Sequence, residues 1–271
     1  MGRTFGDHEV VAHTRSTLDV TDAPAVARAV AAASPHLIVN CAAFNDVDGA
    51  EDRASDALAV NAFAVRSLAR AAEAAGATLV HFGTDFVFSG DEDRPYDEGD
   101  RPSPKSTYAA SKLLGEWFAL GAPRAFVLRV ESLFGAPREW AGRRGTLDRI
   151  VEGLEQGREV RVFTDRVVSP SYVYDVAAAT RHLVTTGAAP GLYHCVNDGH
   201  ASWHDVAREA AALLHVEPRL VPITIDQMPL RASRPKYCAL STKKLTFTGF
   251  VMPSWRAALR RWLTARGAPV A

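Results

Sequence analysis

The sequence predicts an α/β fold: a doubly wound parallel sheet with helices on both faces, followed by a smaller C-terminal lobe. Three observations carry this. Short β-branched apolar runs alternate with Ala-rich amphipathic segments through the first half of the chain, the pattern of strand–helix–strand units. The alternation breaks after about residue 131. The length of 271 residues is enough to bury one large core or two smaller ones.

Taken in order, "EVVAH" (9–13) predicts a strand and "DAPAVARAVAAAS" (22–34) a helix, with Asp22 as its cap and Pro24 in its first turn. "HLIVNCAA" (36–43) has the continuous apolar character of a fully buried strand. "SDALAVNAFAVRSLARAAEAAGA" (55–77) predicts one long helix stopped by Gly76, and "TLVHFGT" (78–84) the next strand. A polar loop then leads to a helix bearing Tyr108 and Lys112, and to the strand "AFVLRV" (125–130). Further on come a helix (146–157), the strand "EVRVF" (159–163) and the turn "SPS" (169–171). A helix near 173–186 and the strand "GLYHCVN" (191–197) read as a return to the sheet. Helices near 202–214 and 254–265 flank a Pro-containing segment, 218–235. The expected division is 1–135 as the sheet domain, with 165–198 returning to it, and 136–164 and 199–271 as the lobe. Ligands of such sheets sit at the carboxyl ends of the strands.

Bulk properties exclude several classes. Lys and Arg number 31 against 31 Asp and Glu, so no net charge draws the chain to nucleic acid or an anionic membrane. The basic run "REWAGRRGTLDR" (138–149) reads as a solvated loop and helix start. Cys41, Cys195 and Cys238 lie far apart without CxxC spacing, as expected for free thiols in a reducing cytoplasm. The 9 histidines show no ligand pattern, so no metal centre is expected. No apolar run approaches the ~18 residues of a membrane span, and no signal peptide opens the chain. A cytoplasmic protein is the expectation.

The stretch "TYAASKLLGEW" (107–117) carries the first chemical signal. Tyr108 and Lys112 are four apart and share one helix face. Leu113, Leu114 and Trp117 form an apolar stripe that would bury the helix whatever its chemistry. Upstream, "GTDFVFSG" (83–90) leaves Thr84 and Asp85 at the carboxyl end of a strand. There a hydroxyl can donate to a substrate carbonyl, although Thr and Asp are also common caps. The whole run 79–117 resembles the dTDP-4-dehydrorhamnose reductases, within the extended short-chain dehydrogenase/reductases. It matches G/S-T-D-x-V-F-x-G, then P-Y-x-E-x-D, then P-x-x-x-Y-x-x-S-K-x-x-G-E. "LDVTD" (18–22), "VNCAAFNDVDGAED" (39–52), "ALAVNA" (57–62), "LRVESLFG" (128–135), "SPSYVYDVA" (169–177), "GLYH" (191–194) and "RPKYCALST" (234–242) are similar too, so the resemblance spans nearly the whole chain.

The resemblance implies a Rossmann-like NAD(P)-binding domain at 1–135 and a substrate-binding lobe. It implies reduction of the 4-keto group of a nucleotide-linked, dTDP-linked 4-keto-6-deoxyhexose. Hydride reduction leaves an alkoxide that must receive a proton. Tyr108 would supply it, with Lys112 lowering the phenol's pKa and holding the nicotinamide ribose. Thr84 would polarise the carbonyl, and Asp85 would orient the substrate beside them. For the cofactor, the strand exit "HTRS" offers Arg15 and no carboxylate, which favours NADPH over NADH. Asp19 and Val20 would contact adenine, and the small residues Cys41, Ala42 and Ala43 would let the cofactor backbone pass close. Where the family shows R-T-S-W-x-Y-G this chain has "RVESLFG", with Ser132 in place of an aromatic that would stack on the sugar. "TDRVVSPS" (164–171) lacks the usual glutamine and glycine.

The alternative is a non-catalytic nucleotide-sugar or NADP-binding subunit, against which stand the retained Thr84, Tyr108 and Lys112. An epimerase or dehydratase would pair Asp with Glu after the Thr, whereas Asp85 is followed by Phe86. A homodimer is left open. A Rossmann half also opens with a strand, a G-x-G-x-x-G turn and a helix whose N-terminus holds pyrophosphate. The chain opens "MGRTFGDHEVV", and that fingerprint occurs nowhere in it. "RTF" (3–5) then reads as the tail of that helix, with Gly6 as its stop. The expectation is a misplaced start or a shortened chain, with weak NADPH binding.

Overall fold

A computed structural model describes residues 1–2, 4–135 and 145–267. Its longer strands are β1 (Leu37–Asn40), β2 (Thr78–Thr84), β3 (Ala125–Val130), β4 (Val160–Phe163), β5 (Gly191–His194) and β6 (Leu220–Ile223). Its longer helices are α1 (Ala23–Ala33), α2 (Ala64–Ala74), α3 (Thr107–Leu120), α4 (Thr146–Glu155), α5 (Val173–Thr185), α6 (Trp203–Leu213) and α7 (Trp255–Ala265). The main sheet has the order β1-β2-β3-β5, and every pair in it is parallel.

Successive strand residues point to opposite faces, and both faces are covered. Leu79 and Val127 pack with Val26 of α1 and Val65, Leu68 and Ala72 of α2. Val80, Phe126 and Leu128 pack on the other face with Val176 and Leu183 of α5. The lobe has its own core, in which Ile150 and Val151 of α4, Trp203 and Val206 of α6, and Trp255, Leu259 and Trp262 of α7 surround β4. The lobe meets the sheet through apolar packing, Leu245 and Met252 joining Phe126 and Leu128, and through an ion pair. Arg261 of α7 donates to both oxygens of Asp175 on α5 at 2.9 and 2.6 Å. Asn197, just past β5, donates to the same carboxylate at 2.7 Å.

Several expectations need correction. Residues 9–13 form no strand, and Val10 and Val11 are 49% and 59% exposed. An extended segment becomes a strand only against a partner edge, and no described segment pairs with this one. For the same reason "HLIVNCAA" is not a fully buried strand. β1 covers only Leu37–Asn40, is mostly half-buried, and has β2 as its one partner among the described residues. Thr4 and Phe5 lie in a turn rather than a helix tail, and Arg3 lies outside the described residues. The helix expected over 55–77 is interrupted by a π-helical turn, Ala59–Phe63. A π turn re-aims one side chain, here Asn61, which is fully buried. Its amide accepts from Phe44 N at 2.8 Å, donates to Phe44 O at 3.1 Å and donates to Ser111 Oγ at 2.9 Å.

"SPS" is not a turn; it leads into a two-residue strand, Ser171–Tyr172. The Pro-containing 218–235 segment holds β6, which pairs in parallel with β4. Pro222 is tolerated because β6 is an edge strand. Of the basic run 138–149, residues 136–144 lie outside the described residues.

Candidate active site

The site is built at the carboxyl end of β2. Thr84 ends that strand and caps the 3-10 turn Asp85–Val87, its Oγ1 accepting from Phe86 N at 3.3 Å. The same hydroxyl donates to Asp85 Oδ1 at 3.1 Å. Both residues are buried, at 6% and 3% exposure. The capping role and the placement at the strand end therefore coincide.

Helix α3 brings in Tyr108 and Lys112. Ser106 starts it by accepting from Ala109 N at 3.2 Å, a standard N-cap. The buried residues are Tyr108, Ala109, Ser111, Lys112, Leu113, Gly115, Glu116 and Ala119; of the expected apolar stripe Leu113 is buried, whereas Trp117 is 60% exposed. What seats the helix is close approach and charge. A Cβ on Gly115 would lie 2.0 Å from Asn61 O, and one on Gly83 would lie 2.2 Å from Glu116 Oε1. Glu116 accepts from Arg129 of β3 at 2.8 to 3.2 Å, a pair whose side chains are 1% and 3% exposed. Glycine and glutamate of "SKLLGEW" are thus the anchor that holds Tyr108 and Lys112 against the sheet.

Lys112 Nζ donates to Phe82 O at 2.5 Å, two residues before Thr84. Burial lowers its pKa to about 8, with Glu116 acting in the opposite direction. The Tyr108 phenol is pushed well up, first by burial and then by the Asp85 carboxylate, while the Thr84 hydroxyl beside it pulls it back. The Lys112 ammonium is engaged by the Phe82 carbonyl, and the groups beside the phenol are Asp85, Thr84 and Glu116. Tyr108 stays protonated, as a proton donor must. The Phe86 ring meets Tyr108 edge-on at 5.8 Å.

The other expected positions are placed as follows. Cys41, Ala42 and Ala43 follow β1 at the same carboxyl edge. Cys41 is exposed, and Ala42 N donates to Asn40 Oδ1 at 3.0 Å. Arg15 is exposed in a turn. Asp19 is exposed and accepts from Thr21 N at 2.9 Å and Thr21 Oγ1 at 2.7 Å, the geometry of a turn residue. Val20 is half-buried. Ser132 is half-buried with a left-handed φ of 45°, and its carbonyl accepts from Ser171 N at 3.3 Å.

Sequence reasoning missed Glu131, Arg166 and Cys238, which close in on Asp85. One oxygen of each carboxylate and the Cys238 sulfur lie within 4.8 Å of one another, all buried. The Arg166 guanidinium lies 5.2 Å from the centre of the Phe86 ring. The available signal was a carboxylate directly after a buried strand, at the edge where ligands bind.

The comparisons with known proteins decide the family. The model of the RmlD substrate binding domain matches residues 3–267. The chain belongs to the RmlD substrate binding domain family. Relatives within it include a dTDP-4-dehydrorhamnose reductase of Mycolicibacterium smegmatis, 36% identical over 96% of this chain and 81% of the relative. A dTDP-4-keto-6-deoxy-D-glucose reductase of Streptomyces niveus is 35% identical over 94% of this chain and 86% of its own length. Among solved structures, a dTDP-4-dehydrorhamnose reductase of Bacillus anthracis in complex with NADP superposes with a TM-score of 0.89 at 30% identity. That match covers 96% of this chain and 91% of the other. The likeness confirms the doubly wound α/β architecture of this RmlD-family chain. Among the described residues no helix is long and apolar enough to cross a membrane.

Proposed function

We propose that the protein reduces the 4-keto group of a dTDP-linked 4-keto-6-deoxyhexose with NADPH. The observation that supports this best is the placing of Thr84 against Tyr108 at the end of β2, with Lys112 one helical turn along, in a chain of this family. When bound, the nicotinamide supplies the hydride. The chain's own residues do the rest. Thr84 donates to the keto oxygen and Tyr108 gives it a proton as it becomes an alkoxide. Lys112 would hold the nicotinamide ribose, and the burial of Tyr108, with Phe86 edge-on to its ring, keeps water from the phenol.

Tyr108, Lys112 and the small side chains after β1 suit the ribose and nicotinamide of the cofactor, and the exposed Arg15 suits a 2′-phosphate. Lys112→Ala should weaken NADPH binding, because a ribose contact and a buried charge are lost together. Fluorescence titration of NADPH checks this; unchanged binding by Lys112→Ala would contradict it.

For the substrate, a cavity of about 440 Å³ opens between the loop after β2 and the 225–236 segment, lined in part by Ser89, Lys105, Arg234 and Lys236. Its cations suit a nucleoside diphosphate. They are held in place by Asp91, Asp48 and Asp165 at 2.9, 2.8 and 3.3 Å. The reading is tested by offering several dTDP-4-keto-6-deoxy sugars with excess NADPH and following the loss of nicotinamide absorbance. Consumption with one sugar and none without it is expected; no consumption with any of them would refute the substrate.

A further inference from the structure

Residues 228–234 form one wall of the cavity described above, which Ser89, Asp91 and Lys105 also line. On either side of this strap the chain is fixed to the lobe. Ile225 N donates to Asp165 Oδ1 at 3.0 Å, and Lys236 O accepts from Val167 N at 2.8 Å. Among the described residues, 229–234 hydrogen-bond outside 225–236 only to Asp48 and Asp52. Asp48 Oδ1 accepts from Arg231 N at 3.1 Å, Ala232 N at 3.0 Å and Arg234 Nη1 at 2.9 Å. Its Oδ2 accepts from Arg234 Nη2 at 2.8 Å, and the Arg231 guanidinium forks onto Asp52. Asp48 belongs to the sheet domain and lies in the chain between Val47 and Ala50, both in the cluster that packs around Tyr108. One carboxylate thus joins the cavity wall to the segment beside the proton donor. A guanidinium carries five donors. In Arg234, Asp48 takes two of them and Ala232 O a third at 3.1 Å. Nε and the second Nη2 proton have no partner among the described residues. Those two form a second fork, the geometry that receives two oxygens of a phosphate.

We propose that Asp48 is a positioning residue of the substrate cleft: it ties the 228–234 strap to the sheet domain and holds the free fork of Arg234 at the cavity wall, where the substrate's diphosphate takes it. This rests on the reductase reading above, which supplies the diphosphate. Asp48 touches neither substrate nor cofactor and acts through Arg234 and the strap backbone. Little else holds the strap. Ala232 is its one buried side chain, so apolar packing contributes little. The Arg231–Asp52 pair is exposed at 61% and 49%, and such pairs are weak. The Arg234–Asp48 pair is more enclosed, with the Arg234 side chain 15% exposed. Arg234 holds the Asp48 carboxyl at about 2, so the tie is ionised at neutral pH.

Two measurements on the whole chain test this. The first needs neither substrate nor cofactor: limited trypsin digestion, with the cuts mapped by mass spectrometry. Arg231 and Lys236, both exposed, offer cleavage sites in and beside the strap. Asp48→Asn should be cut there several-fold faster than the wild type, and Asp52→Asn should differ little from it. Equal rates in Asp48→Asn and the wild type overturn the tie. The second is the binding of dTDP, followed by calorimetry. Its Kd, and the KM of the sugar nucleotide, should rise about tenfold or more in Asp48→Asn, the worth of one charge-assisted hydrogen bond. The kcat should change little, since only binding is lost. Asp48→Glu, which keeps the charge, should restore part of the affinity. An unchanged dTDP affinity in Asp48→Asn overturns the positioning role even if the strap is cut faster. In the wild type, saturating dTDP should slow cleavage in the strap. No binding of dTDP by the wild type, or no protection at saturation, overturns the proposal even if Asp48→Asn fails to fold. If dTDP binds and protects but no sugar is reduced, the reductase reading fails and the role of Asp48 stands.

Discussion

Tyr108→Phe is expected to lower turnover by at least a hundredfold while leaving NADPH binding almost unchanged. The ring keeps its edge-on contact with Phe86 at 5.8 Å and loses only the hydroxyl. A positioned general acid contributes about 10²–10⁴ in rate, so removal of the phenol hydroxyl should cost that range. Steady-state turnover and NADPH titration, side by side on both proteins, provide the check. Retention of more than a tenth of wild-type turnover would mean that another group is the acid. A large loss of NADPH binding would mean that the phenol holds the cofactor rather than protonating the substrate.

Glu116→Ala is expected to be the most damaging change to the scaffold. Its partner Arg129 is 3% exposed at the side chain and its Nη1 already lacks a hydrogen-bond partner. Loss of the carboxylate would leave a buried guanidinium with only the face of Phe88, 4.9 Å away, beside it. Breaking such a pair costs about 3–5 kcal/mol. That corresponds to a fall in Tm of roughly 6–15 °C for a domain of this size. Because the pair also seats α3, activity should fall with stability. Thermal melts of Glu116→Ala and of the double variant Glu116→Leu/Arg129→Met separate the causes. The double variant should melt closer to wild type, since no charge is stranded. An unchanged Tm in the single variant would mean that the pair holds nothing.

The elements that residue patterns placed well are those fixed by local chemistry. Asp22 caps α1, Gly76 stops α2 with a left-handed φ of 63°, and "TLVHFGT" is a strand along its full length. The failures came where a distant partner decides the outcome. Residues 9–13 have strand chemistry, yet no described segment offers them an edge. Asn61 makes its turn π-helical because Phe44 and Ser111 lie within its reach, 17 and 50 residues away. At the site, Thr84, Asp85, Tyr108 and Lys112 were legible because a motif links them over a short stretch. Their electrostatics were not. Lys112 was read as the group that tunes Tyr108; burial, Thr84 and Asp85 at the end of β2, and Glu116 on the same helix also bear on the phenol. Glu131, Arg166 and Cys238 are each ordinary in the sequence. Only the fold brings them to one point.

The central claim is hydride transfer to a sugar ketone with Tyr108 as the proton donor. It is tested most directly by supplying the full chain with NADPH deuterated at the transferred position and a dTDP-4-keto-6-deoxy sugar, then analysing the product by mass spectrometry and NMR. The account predicts a reduced nucleotide sugar carrying one deuterium at its C4 carbinol, formed by the wild type and not by Tyr108→Phe. An unreduced sugar with folded protein and excess cofactor, or deuterium at any other carbon, would contradict it.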